Sequence, residues 1–163
     1  MGEITHMDGA GNARMVDVGE KKITRRVAIA EGFISLTPAA FSAVVNRQAR
    51  KGDVLTVAQI AGIGGAKRTA DLIPLCHPMP ISSVDVQLEP VVEGHRIRVV
   101  AKVGTDWRTG VEMEAMTAVS TALLTVYDML KSIDKSMVIG PIQLLEKRGG
   151  KSGHFVRDAS VPE

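Results

Sequence analysis

With 163 residues, 45% of them hydrophobic and 23% charged, the chain has the size and balance of one folded domain, 1–163, and its composition excludes bulk disorder. A net charge of +2 excludes a broad basic face, and an aromatic content of 3%, confined to Phe33, Phe41, Trp107, Tyr127 and Phe155, argues against a base-stacking nucleic-acid platform. The single cysteine allows no internal disulfide, and the most apolar run, Ala115 to Leu130, is too short and too polar to span a bilayer.

Residues 1–13 are rich in glycine and polar residues and read as a mobile start. Met1-Gly2-Glu3-Ile4-Thr5-His6 has neither the basic nor the apolar region of a secretory leader, so a cytoplasmic protein without membrane or nucleic-acid partners is expected. Alternating apolar residues predict a strand from Arg25 to Leu36, with Gly32 a candidate bulge. Thr37-Pro38 then opens a helix, Thr37 as its cap and Pro38 at its first position. Asp53 caps a second helix expected to end before Pro74, which Gly62, Gly64 and Gly65 weaken. Val84, Val86 and Leu88, then Ile97, Val99 and Ala101, alternate with polar neighbours on either side of Glu93-Gly94 and predict an antiparallel hairpin. A long helix from Glu112 to Ile133 and a closing strand with Val138, Ile139, Ile142, Leu144 and Leu145 complete the body, before a flexible tail at 149–163 opening on Gly149-Gly150. This order predicts an α+β fold, a ferredoxin-like antiparallel sheet with helices packed on one face.

Two segments carry candidate chemistry. In Leu72-Ile73-Pro74-Leu75-Cys76-His77-Pro78-Met79-Pro80, three prolines stiffen the backbone that presents Cys76 and His77, as a binding loop requires. Thr109-Gly110-Val111-Glu112-Met113-Glu114 opens the long helix, whose positive end suits Glu112 and Glu114. On a helical wheel Glu114, Thr117, Thr121, Leu124, Asp128 and Lys131 share one stripe on an otherwise apolar circumference, which predicts a cleft or a subunit boundary. A lysine partly desolvated there is expected to shift toward neutrality and exchange protons, with Asp128 orienting it.

The basic residues are clustered, as in Lys21, Lys22, Arg25 and Arg26 and again in Lys147, Arg148 and Lys151, which suits local anion pockets. Gly62-Ile63-Gly64-Gly65-Ala66-Lys67-Arg68-Thr69 fits neither a Rossmann fingerprint nor a P-loop, yet Lys67 retains the chemistry to meet a phosphate. No metal site is expected. Cys76 and His77 are adjacent, and His6, His95 and His154 have no ligand spacing around them.

Leu72-Ile73-Pro74-Leu75-Cys76-His77-Pro78, followed by Thr109-Gly110-Val111-Glu112-Met113-Glu114-Ala115-Met116-Thr117-Ala118 and Tyr127-Asp128-Met129-Leu130-Lys131, resembles the cyclic pyranopterin monophosphate synthase family of molybdenum cofactor biosynthesis. Met15-Val16-Asp17-Val18, Lys51-Gly52-Asp53-Val54 and Met137-Val138-Ile139-Gly140-Pro141 are similar to further blocks of that family, and the resemblance runs from Thr5 to Phe155.

The resemblance implies a lyase that converts 3′,8-cyclo-7,8-dihydro-GTP to cyclic pyranopterin monophosphate and pyrophosphate. It places Leu75, Cys76, His77, Met113 and Glu114 in substrate-binding segments, with Glu112 beside them, and Asp128 at the active-site acid or base. Lys51 and Lys131 fall on essential lysines, and Arg26, Lys67 and Lys147 on triphosphate contacts. It further implies a homohexamer, a trimer of dimers with sites shared between subunits, and no cofactor beyond magnesium accompanying pyrophosphate. The rival reading is a noncatalytic ferredoxin-like oligomer that binds RNA or anions. An RNA binder should expose aromatics on its central strands, and Val84 to Leu88 and Ile97 to Ala101 have none.

Overall fold

A computed structural model describes residues 11–151 and 153–158, so the expected mobile start lies outside the described residues at 1–10, as do 152 and 159–163 of the expected tail. The elements run β1 (Thr24–Ser35), α1 (Pro38–Val45), α2 (Val54–Lys67), α3 (Thr69–Leu72), β2 (Ile81–Val91), β3 (Arg96–Trp107), α4 (Glu112–Leu130), β4 (Val138–Arg148) and β5 (Phe155–Val156). The strands form one antiparallel sheet in the order β2-β3-β1-β4-β5. The α+β, ferredoxin-like reading holds. Phe155 and Val156, inside the expected flexible tail, instead pair with Lys147 and Glu146 and add the edge strand.

Strand periodicity decides which face is covered. Ala28, Ala30 and Ile34 of β1 and Ile97, Val99, Ala101 and Val103 of β3 point one way and are fully buried under α4. The opposite face carries Glu31, whose carboxylate accepts from Arg98 and Gln143 at 2.9 Å each. Because the helix-side residues at the strand centres are small, α4 lies close on the sheet. A side chain at Gly32 would begin 2.7 Å from Val119 Cγ1 and 2.9 Å from Leu123 Cδ1. The ladder to β4 also shifts register between Gly32 and Ile34, as a bulge there requires.

The expected caps are present: Thr37 Oγ1 accepts from the Ala40 amide, and Asp53 Oδ1 from the Thr56 amide at 3.1 Å. The second expected helix is broken, however, at Arg68 into α2 and α3, and Ile73 is extended ahead of Pro74, which disfavours helical geometry at its neighbour. Nor do Gly62 and Gly65 weaken it. A Cβ at Gly62 would stand 3.1 Å from the Ala118 carbonyl, and one at Gly65 2.8 Å from Thr121 Cβ, so these glycines let α2 lie directly on α4. The last helix ends at Leu130, three residues short of the expected Ile133, with Lys131 as its C-cap. Among the described residues no helix is long and apolar enough to cross a membrane.

Candidate active site

The proline-rich loop and the start of α4 meet. Between them lies a cavity of about 420 Å³ whose walls include Leu75, Cys76, His77, Met113 and Glu114, together with Glu112, Thr109 and Gly110. Val16 and Val18, from the segment before β1, close one side, and the His77 ring donates from Nε2 to the Val16 carbonyl at 2.7 Å. Val111, the N-cap of α4, makes no side-chain cap hydrogen bond.

Glu114 has the most unusual environment in this cavity. It is 3% exposed, and its Oε2 has no hydrogen-bond partner among the described residues. Burial pushes its carboxyl up to about 7, and the nearby charge of Glu112 pushes the same way. Burial, with the charge of Glu114, also raises the Cys76 thiol, which therefore stays protonated and serves as a packing or hydrogen-bonding wall. Glu112 is ion-paired with Lys147 at 2.5 Å, both side chains about a quarter exposed. Its carboxylate lies over Gly110, where a Cβ would fall 2.7 Å from Glu112 Cδ.

Through Thr109, Gly110 and Glu112 this cavity continues into a second of about 430 Å³, walled by Lys21, Arg26, Arg108, Lys147 and Lys151. Five cations there face one carboxylate, Glu112. Arg26 is buried and donates to the Trp107 and Arg108 carbonyls at 3.4 and 3.3 Å, holding the end of β3 against the cavity. Arg108 Nε is buried without a partner among the described residues. Lys21 and Lys151 belong to basic clusters visible in the sequence, whereas Arg108, preceded by Trp107 and isolated from other cations, carries no sequence signal.

The remaining site residues lie elsewhere. At the far end of α4, Lys51 Nζ donates to both the carbonyl and Oδ2 of Asp128 at 2.9 Å, and Lys131 Nζ pairs with Oδ1 at 2.7 Å. The hydrogen bonds from Lys131 and Lys51 hold the Asp128 carboxyl down to about 2, and Asp128 in turn raises Lys131. The expectation of a lysine driven toward neutrality therefore fails: the Lys131 side chain is 53% exposed, and its partner stabilises the ammonium. Fourteen residues separate Glu114 from Asp128, about 21 Å of helix at 1.5 Å per residue. The single polar stripe fails too, since Glu114 and Thr117 are buried and Thr121 packs under α2, while Leu124 is exposed.

Lys67 lies apart from the cationic wall and from Asp128, but borders the cavity of His77 and Glu114. It lines a cavity of about 440 Å³ with Ile63, Met79, Ser82 and Ser83, and a narrower one with His77 and Glu114. The structure thus does not bring it to Arg26 and Lys147. No group of three His, Cys, Asp or Glu side chains that could hold a metal ion occurs among the described residues.

The model of the MoaC family matches residues 15–150, a span that holds both ends of α4, the proline-rich loop and nearly all of the cationic wall. The chain belongs to the MoaC family. Among its MoaC relatives, the cyclic pyranopterin monophosphate synthase of Thermomicrobium roseum is 54% identical over 158 residues, 97% of this chain and 95% of the relative. The protein of the same name from Dinoroseobacter shibae is 53% identical over 155 residues, 95% of this chain and 98% of the relative.

Proposed function

We propose that this chain is a cyclic pyranopterin monophosphate synthase of molybdenum cofactor biosynthesis, a cytoplasmic lyase that takes 3′,8-cyclo-7,8-dihydro-GTP to cyclic pyranopterin monophosphate and pyrophosphate. The observation that carries the reading is the pair of joined cavities. One is lined by a buried carboxyl, a thiol and apolar side chains, as a heterocycle requires; the next is lined by five cations, as a triphosphate requires. Relatives bearing that name at more than half identity support the reaction class.

Within this reading Glu114 is the proton carrier nearest neutrality, suited to exchange a proton with the substrate ring. Lys147 meets phosphate, and Glu112 orients it. Arg26 works through the Trp107 and Arg108 carbonyls as well as by its charge. Lys131 acts as a cation and acid, its charge stabilised by Asp128, and Lys51 supplies a second ammonium on the same carboxylate. Because about 21 Å of helix parts those three residues from Glu114, a complete centre draws them from a second copy. A homohexamer arranged as a trimer of dimers, with sites at subunit boundaries, meets that need. No resident cofactor is proposed, and magnesium, where it enters, travels with pyrophosphate.

The test is incubation with enzymatically prepared 3′,8-cyclo-7,8-dihydro-GTP, following pyrophosphate and the fluorescent pterin formed on oxidation. Absence of both products would overturn the reading.

A further inference from the structure

Asp134 is a buried acid that lines none of the cavities described above and makes no ion pair among the described residues. It is 5% exposed and stands in the turn after Lys131, which the Ile133 and Asp134 amides close by donating to the Leu130 carbonyl at 2.8 and 3.0 Å. Its Oδ1 accepts from the Ser136 amide at 2.8 Å and from the Ser136 hydroxyl at 2.6 Å. Its Oδ2 accepts from the amide of Thr37, 97 residues away, at 2.8 Å. Thr37 is the N-cap of α1, so Asp134 does from outside the helix what the glutamate of a capping box does from within. The bonds from Ser136 and Thr37 hold its carboxyl below the usual range, which keeps it an ionised acceptor at neutral pH.

The helix that Asp134 caps leads to Lys51. After α1 the chain turns through Arg47 and Gly52, with φ of +54° and +101°, and the Gly52 amide donates to the Ala49 carbonyl at 3.1 Å. Lys51, presented by that turn, reaches the carbonyl and carboxylate of Asp128. Both ends of the excursion 37–51 are therefore fastened to the end of α4 and its turn, Thr37 by Asp134 and Lys51 by Asp128. Between them Phe41 and Val44 are buried, and Phe41 meets the His95 ring edge-on at 5.4 Å. The pair at Lys51 is half exposed and holds weakly by itself, whereas the bond at Thr37 goes to a buried, ionised acceptor.

We infer that Asp134 is a positioning residue for the cluster of Lys51, Asp128 and Lys131: by tying the start of α1 to the turn after Lys131, it fixes where Lys51 meets Asp128. The inference rests on the proposed reaction only for what that cluster does to substrate. Without the carboxylate the Thr37 amide loses its acceptor and the start of α1 is released, so Lys51 keeps only its exposed pair to hold it in place.

Limited acetylation of the full-length protein with acetic anhydride, read by peptide mass spectrometry, tests the clasp without turnover, because an amine held in a hydrogen-bonded ion pair is less open to the reagent than a free one. In Asp134→Ala the acetylation of Lys51, measured against exposed Lys102, should rise at least about threefold, as loss of an exposed ion pair allows. Turnover should fall at least about tenfold, the loss expected of a misplaced site group. Asp134→Asn keeps the volume and one acceptor; it should give an intermediate result, and it carries the test if circular dichroism shows the alanine variant unfolded. Gln59→Ala removes a bond of 2.8 Å from α2 to the Val86 carbonyl, a comparable structural loss elsewhere, and should leave the Lys51 ratio unchanged. An unchanged ratio or undiminished turnover in a folded Asp134 variant, or an equal rise in Gln59→Ala, would overturn the positioning role. Turnover by the wild-type protein is measured alongside. If the wild type turns substrate over while the Lys51 ratio ignores Asp134, the clasp alone falls. If the ratio depends on Asp134 and the wild type makes no product, the proposed reaction falls, and with it the role of Asp134 in positioning a reacting group.

Discussion

Glu114 and Asp128 stand on one helix, about 21 Å apart, in opposite protonation regimes: burial brings the first to about 7, and two lysines hold the second down to about 2. One acid near neutrality and one permanent anion thus divide the carboxylate chemistry of α4 between its two ends. The difference comes from surroundings alone.

Stability should fall between pH 4.5 and about 7 on account of Glu114. Its folded value is raised, so the folded protein keeps a proton that the unfolded chain gives up; the associated stability is complete below 4.5 and lost as pH rises through about 7. A shift of this size corresponds to roughly 3 kcal/mol at most. Urea denaturation across this range should show the decline in the wild type and a flatter profile in Glu114→Gln. An unchanged slope in that variant would assign the decline to another group. Asp128 leaves this window untouched, because its lowered value confines its effect to acid.

Lys51→Ala and Lys131→Ala should each abolish turnover and leave the fold intact. Both side chains are about half exposed and their ion pairs among the described residues are with Asp128, so their removal should cost little stability. Pyrophosphate release and far-UV circular dichroism measure the two halves of this prediction. Wild-type rates in either variant would remove that lysine from the mechanism.

Mixing Lys131→Ala with Lys147→Ala should recover activity after subunit exchange, since these residues lie at opposite ends of α4. If each centre draws one set from each chain of a two-fold pair, about one site in four regains both lysines at equal mixing. Recovery of none, with exchange verified by mass spectrometry, would show that each chain builds its own centre.

Two glycines should respond differently to alanine. At Gly110 the new Cβ comes nearest to the end of the Glu112 side chain, which can swing aside, so Gly110→Ala should retain its melting temperature yet lose activity as Glu112 leaves Lys147. At Gly65 the Cβ meets Thr121 Cβ at 2.8 Å and the Thr117 carbonyl at 3.2 Å, so α2 must move off α4. Overpacking of this kind costs about 1–3 kcal/mol. Thermal melts and steady-state rates on both variants decide the matter, and a melting temperature lowered equally in both would contradict it.

Extensive dialysis against a chelator should leave activity restorable by at most magnesium. His77 Nε2 is engaged by the Val16 carbonyl, Cys76 is protonated, and no group of three metal-ligating side chains gathers among the described residues. Zinc bound in stoichiometric amount and lost from a Cys76→Ser variant would refute this.

Much of the architecture follows from local rules that a sequence displays directly. Alternation in Val84 to Leu88 and Ile97 to Ala101, the caps Thr37 and Asp53, and the long periodicity after Glu112 specify elements through neighbouring residues, and all of them form. The proline-fixed loop with Cys76 and His77, and the acids opening α4, are legible for the same reason. Other features depend on what lies across the interior. Gly62 and Gly65 read as helix weaknesses until α4 is laid against them, because glycine has a conformational cost locally and a spatial use only in contact. Lys131 reads as a neutral base candidate on a greasy helix. Its ammonium is instead stabilised by Asp128, a carboxylate that Lys51 also reaches from a distant turn. Arg108 and Lys151, far apart in sequence, join Arg26 only because β1, β3 and β4 are neighbours in the sheet. Spacing thus determined which residues carry chemistry and on which elements. Tertiary structure decided their charge states and groupings, since burial and electrostatic pairing are set by distances through space.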